Sequence, residues 1–69
     1  MNYQENLDEL IKIGFKITTD NEKYTILKDR FGTKILLDWT QYSYAIFGSK
    51  GSPNIKKFCE NCVKAKKNF

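Results

Sequence analysis

From Phe15 to Gly48 the apolar residues recur with the period of a strand, and the breaks between runs are only a few residues long. FKITT (15–19) sets Phe15 and Ile17 against Lys16 and Thr18. Asp20-Asn21 is a turn signal, and KYTILKD (23–29) resumes extended structure with Tyr24 and Ile26 on one face. Asp29-Arg30-Phe31-Gly32 reads as a four-residue hairpin connection, with glycine where φ must be positive. TKILLDW (33–39) aligns Ile35, Leu37 and Trp39, and YSYAIFG (42–48) follows Thr40-Gln41 as the last strand. A parallel crossover needs a dozen or more residues, so such short connections join only antiparallel neighbours. The middle of the chain is therefore an antiparallel meander of three to four strands.

Helical periodicity flanks this meander on both sides. Tyr3, Leu7, Leu10 and Ile11 share one face of a first helix, with Glu5, Asp8, Glu9 and Lys12 on the other. Asn2 with Glu5, or Asn6 with Glu9, supplies an N-cap, and Gly14 follows the last turn. After the loop GSKGS (48–52), Ser52 as N-cap and Pro53 at the first helical position open a second helix. Its apolar stripe is Ile55, Phe58, Cys59, Cys62 and Val63. The expected architecture is α+β, a single domain over residues 1–69. It has an N-terminal helix, the meander and a C-terminal helix, and both helices cover one sheet face.

Several function classes are poorly served by this composition. A domain of 69 residues buries a small core and is marginally stable. MNYQENLDEL has neither a basic n-region nor an apolar h-region, and no apolar run reaches membrane-spanning length. A cytoplasmic protein without membrane contact, monomeric or homodimeric, is expected. Cys59-x-x-Cys62 falls on the apolar stripe, and free cysteine is among the most buried residue types. With 2 cysteines and 0 histidines, a zinc site would have to be shared across a dimer or completed by carboxylates. A redox pair would sit about two turns into the helix, beyond the reach of the N-terminal amides that lower a thiol pKa. No metal and no cofactor are expected.

The chain also lacks the commonest general base, and it has no nucleophile elbow, P-loop or dinucleotide fingerprint. Gly48-Ser49-Lys50-Gly51-Ser52 departs from Walker spacing, and a linker that turns the last strand into the helix is the simpler reading. The chain is thus read as a non-enzymatic binder with no catalytic residues. Its surface offers two candidate sites. If Phe15, Ile17, Tyr24, Ile26, Ile35, Leu37 and Trp39 face the helices, then Leu27, Leu36 and Phe47 form an apolar patch on the opposite face. Lys16, Thr25, Lys34 and Asp38 would surround it. A slip in strand register would exchange the two faces. Phe31, Trp39, Tyr42 and Tyr44 near the strand ends are further candidate protein-binding anchors.

The second candidate is electrostatic. The net charge is +4, and the excess lies in the last 20 residues, where Lys50, Lys56, Lys57, Lys64, Lys66 and Lys67 face only Glu60. Lysines there also complement the helix dipole. A phosphate backbone or an acidic protein would suit such a segment, although base-specific reading usually employs arginine.

The order helix–meander–helix, with the stretches NLDELIKI, TKILLDW and SPNIKKFC, resembles small phage-encoded inhibitor proteins, including anti-CRISPR proteins. That resemblance implies a binder that blocks a host protein, for instance a defence nuclease or its complex. Several such inhibitors mimic DNA with an acidic face. This chain is net basic, so blockade would fall to the sheet face, the lysine-rich end or the small acidic clusters Asp8, Glu9 and Asp20, Glu22. LIKIGFKI followed by KYTILKD, TKILLDW and a basic last helix is also similar in layout to double-stranded-RNA-binding folds, including HicA-type toxins. The alternative it implies is nucleic-acid binding through Lys50, Lys56 and Lys57, with Lys64 further along the same helix. The HicA-type catalytic histidine has no counterpart here, and the strand YSYAIFG is additional.

Overall fold

The computed structural model describes residues 2–48 and 53–68, in the order α1 (Tyr3–Ile13), β1 (Lys16–Asp20), β2 (Tyr24–Lys28), β3 (Lys34–Asp38), β4 (Ser43–Phe47) and α2 (Pro53–Lys67). The strands form one antiparallel sheet in the order β1-β2-β3-β4. This is the expected α+β meander. Asn2 caps α1 by accepting the Glu5 amide at 2.9 Å. At the other end the Gly14 amide donates to the Ile11 carbonyl and the Phe15 amide to the Leu10 carbonyl. Ser52, the expected cap of α2, lies outside the described residues.

One continuous core joins both helices to one sheet face. Leu7 and Leu10 of α1 meet Ile55, Cys59, Cys62 and Val63 of α2 above Leu27, Ile35, Leu37 and Trp39, with Phe15 closing the end. The α2 residues recur at i, i+4, i+7 and i+8, the stripe its spacing implied. Tyr44 and Ile46 of β4 pack on the same side, partly buried. Among the described residues no helix is long and apolar enough to cross a membrane.

The register corrects the expected faces of β2. Leu27 is fully buried against the helices, as is Thr25, whereas Tyr24 and Ile26 point to the opposite side. The cause is the length of the β2–β3 turn. A four-residue turn over Asp29–Gly32 would oppose Ile26 to Ile35. The observed turn has five residues, because Lys28 pairs with Lys34 and Leu27 with Ile35. The Asp29 amide donates to the Thr33 carbonyl at 3.0 Å, and the Asp29 carboxylate accepts the Thr33 amide at 2.8 Å and the Phe31 amide at 2.9 Å. Gly32 has the expected positive φ, at 89°. A single-residue slip exchanges every side chain between faces.

Gly48 answers to a neighbour as well as to its own φ of 115°. A Cβ there would stand 3.0 Å from the Thr33 Cα and 3.1 Å from the Gly32 carbonyl oxygen, so the end of β4 presses on this same turn. On β1 the register shifts between Ile17 and Thr19. Ile17 therefore lies on the helix side opposite Leu27, half-exposed at the sheet edge, while Thr19 opposes Ile26 on the other side.

These assignments separate two leucines that the sequence treats alike. Leu27→Ala is expected to cost about 2–5 kcal/mol of folding stability, as for a fully buried leucine. Leu36→Ala, on the half-buried opposite face, should cost about 1 kcal/mol. Urea denaturation of the two variants checks the register, and equal losses would contradict it.

Candidate functional site

The face of the sheet turned away from both helices is the candidate site. Alternation along β2, β3 and β4, and the register shift within β1, place Lys16 and Thr19 of β1, Tyr24, Ile26 and Lys28 of β2, Lys34, Leu36 and Asp38 of β3, and Ser43, Ala45 and Phe47 of β4 there. Read across the strands, these residues form rows. Ile26, Leu36 and Ala45 are successive partners, making an aliphatic row through the centre. Beside it Lys16 opposes Lys28, Lys28 opposes Lys34, and Lys34 opposes Phe47.

Three lysines in adjacent register are electrostatically unfavourable, since like charges directly opposite each other on one face destabilise a sheet. No carboxylate of the described residues forms an ion pair with them. Among the described residues the ion pairs are Lys12–Glu9 and Lys64–Glu60, both within helices. Asp38, on the same face, turns its carboxylate to the β3–β4 turn. It accepts the Thr40 hydroxyl at 2.6 Å, the Thr40 amide at 2.8 Å and the Gln41 amide at 3.3 Å. Those bonds, the Thr40 hydroxyl foremost, hold its pKa below the ordinary 3.8. Asp29 is likewise occupied by turn amides.

Aromatic rings extend the basic row. The Lys34 ammonium lies 5.9 Å from the centroid of Phe47, which is 52% exposed. The Arg30 guanidinium lies 5.0 Å from the centroid of Phe31, which is 63% exposed. Ile13, Lys16, Thr18, Lys28, Arg30 and Phe31 line a recess of about 570 Å³ at this end of the sheet. The arrangement offers positive charge, apolar area and two exposed rings in one place. It suits recognition of an anionic surface.

Of the anchors expected from sequence, Leu36 and Phe47 lie on this face and Phe31 at its end. Leu27 does not, because the five-residue turn carries it into the core. Trp39 is also core, 6% exposed, with its indole N–H donating to the Thr25 hydroxyl at 2.9 Å. Thr25, expected among the polar residues of the open face, is buried beneath it. Tyr42 is exposed in the β3–β4 turn with φ at 53°, and it lines a shallow recess with Tyr44 and α2 residues on the helix side. Lys56, Lys57 and Lys64 are exposed on α2, across the molecule from the open face, and Lys64 is paired with Glu60 at 3.4 Å. Lys50 lies outside the described residues.

Sequence reasoning missed Ile26, Tyr24, Lys28 and Arg30 as members of the site. The signal that could have found them was the turn: Asp29 can accept amides two and four residues on, which favours closing at Thr33.

Both cysteines are fully buried in the core, and the Cys62 thiol lies 3.6 Å from the Tyr3 carbonyl oxygen. Burial pushes each thiol from the ordinary 9.0 up to about 12, with the neighbouring Cys59 adding to the effect on Cys62. Thiolate is the reactive and metal-binding form, so this environment suppresses both chemistries. No family model, curated protein or solved structure matches this chain significantly.

The thiols carry a pH dependence of known sign. Between pH 9 and about 12 the unfolded chain releases thiol protons that the folded chain retains. The folded state then binds more protons, so stability is full below pH 9 and falls as pH rises. A Cys59→Ala, Cys62→Ala double variant is expected to show a shallower loss of stability across this range than the parent, measured by urea denaturation at successive pH values. Identical slopes would contradict burial of the thiols.

Proposed function

We propose that this protein is a non-enzymatic binding module whose open sheet face docks an acidic protein surface. The observation that carries the reading is the Lys16–Lys28–Lys34 row, set in adjacent register beside the half-buried Ile26–Leu36–Ala45 row that the helices do not cover. An acidic partner relieves the repulsion among the lysines, while the aliphatic row supplies apolar area to bury. A protein is favoured over single-stranded nucleic acid because the centre of the face is aliphatic. Bases stack on aromatic rings, and here the rings stand at the margins. In its specific form the proposal is an inhibitor of the phage-encoded kind, which silences a host protein by covering an acidic surface.

The test compares variants for capture of a defined target from nuclease-treated bacterial lysate, with identification by mass spectrometry. Lys28→Glu replaces two like-charge contacts with two attractive ones. It is expected to stabilise the free protein by about 0.5 kcal/mol and to abolish capture. Leu36→Glu should also abolish capture, whereas Lys56→Gln with Lys57→Gln and Lys64→Gln should leave it intact. A stoichiometric acidic protein following this order supports the proposal. Retention of nucleic acid that depends on Lys56, Lys57 and Lys64 would overturn it in favour of the basic helix.

A further inference from the structure

On the helix side, away from the lysine row, Lys66 in the last turn of α2 extends over two aromatic rings. Its Nζ lies 4.4 Å from the centroid of Tyr3 and 4.9 Å from that of Trp39. The ring centroids are 6.2 Å apart and the ring planes meet at 66°. Two rings set at this angle form adjacent walls around one cation. The Trp39 wall is held in place, since its Nε1–H donates to the Thr25 Oγ1 at 2.9 Å and that hydroxyl donates to the Asp20 Oδ1 at 2.8 Å. This relay ends on a carboxylate. Asp20 and Glu22 line the same recess of about 360 Å³ as Tyr3, Trp39 and Lys66.

The chemistry of these walls selects for a cation. Ring faces present negative potential, and the carboxylates add to it. A primary ammonium is compact and strongly hydrated, so it gives up much on leaving water. An alkylated ammonium is more weakly hydrated and fills aromatic walls with methyl groups, which is how choline and methyl-lysine are recognised in general. Lys66 therefore stands where such a group would be better suited. Its long side chain can leave without moving the helix that carries it.

We propose that this recess is a binding site for an alkylated or quaternary ammonium group, and that Lys66 occupies it in the free protein. The site is independent of the lysine row, and neither proposal depends on the other. Self-occupation weakens the apparent affinity for an external cation by the fraction of molecules in which the cage is free.

Trp39 is the chain's single tryptophan, so its fluorescence reports on the cage directly. The full-length protein is titrated with tetramethylammonium chloride and with choline at constant ionic strength, and with 3,3-dimethylbutan-1-ol as the uncharged counterpart of choline. Both cations are expected to give a saturable change, and the alcohol none. Lys66→Met should lower the midpoint about tenfold, the factor for a cage that is about nine-tenths self-occupied. Asp20→Asn should raise the midpoint severalfold. Circular dichroism on each variant separates loss of the site from loss of the fold, and Lys66→Gln serves where Lys66→Met is unfolded. Absence of a saturable response in a folded Lys66 variant, or an equal response to the alcohol, would overturn the proposal.

Discussion

The five-residue turn between β2 and β3 is the constraint on which the rest of the molecule rests. Asp29 holds it closed from both ends, accepting amides of Phe31 and Thr33 while its own amide reaches the Thr33 carbonyl. Closing at Thr33 sets Leu27 opposite Ile35 and Thr25 opposite Leu37, and these partners become the floor of the core. The same register sets Lys28 opposite Lys34 on the other face. Core and candidate site are thus two consequences of one turn. Gly48 adds a restraint from outside, because β4 ends so close to the backbone of Gly32 and Thr33 that a side chain there would press on the turn.

A second irregularity completes the lysine row. Near the β1–β2 turn, Asp20 opposes Thr25 and Thr19 opposes Ile26, so an uninterrupted ladder would bring Lys16 to Asp29. The shift between Ile17 and Thr19 moves Lys16 to Lys28 instead. Bulges re-aim side chains at sheet edges, and this one converts a prospective attractive pair into a repulsive one. Two local departures from simple hairpin geometry therefore concentrate charge on a face that packing leaves uncovered. Such concentration is unfavourable to the isolated fold and favourable to an anionic partner.

Charge is handled differently on the helix side. Lys64 pairs with Glu60 along α2, and Lys66 lies over Tyr3 and Trp39. The Trp39–Thr25–Asp20 hydrogen bonds tie that aromatic pair to the sheet, so the buried threonine serves both the core and the recess above it. Cys59 and Cys62 sit deeper in the same layer, where burial disfavours the thiolate and keeps them protonated.

The local sequence by itself determined the element order, the antiparallel meander and the apolar stripe of α2. Each depends on periodicities and connection lengths short enough to be read within a few residues. It also placed Ile35, Leu37, Cys59 and Cys62 inside, where alternation or helical spacing allows only one burial pattern. β2 was different, because Tyr24 and Ile26 on one side and Leu27 on the other make both faces apolar enough to bury. Only the assembled sheet decided between them, by adopting the closure at Thr33 that Asp29 favours over the shorter one that Gly32 suggests. A strand with two apolar faces takes its orientation from its neighbours, and the lysine row exists only once those neighbours are in register.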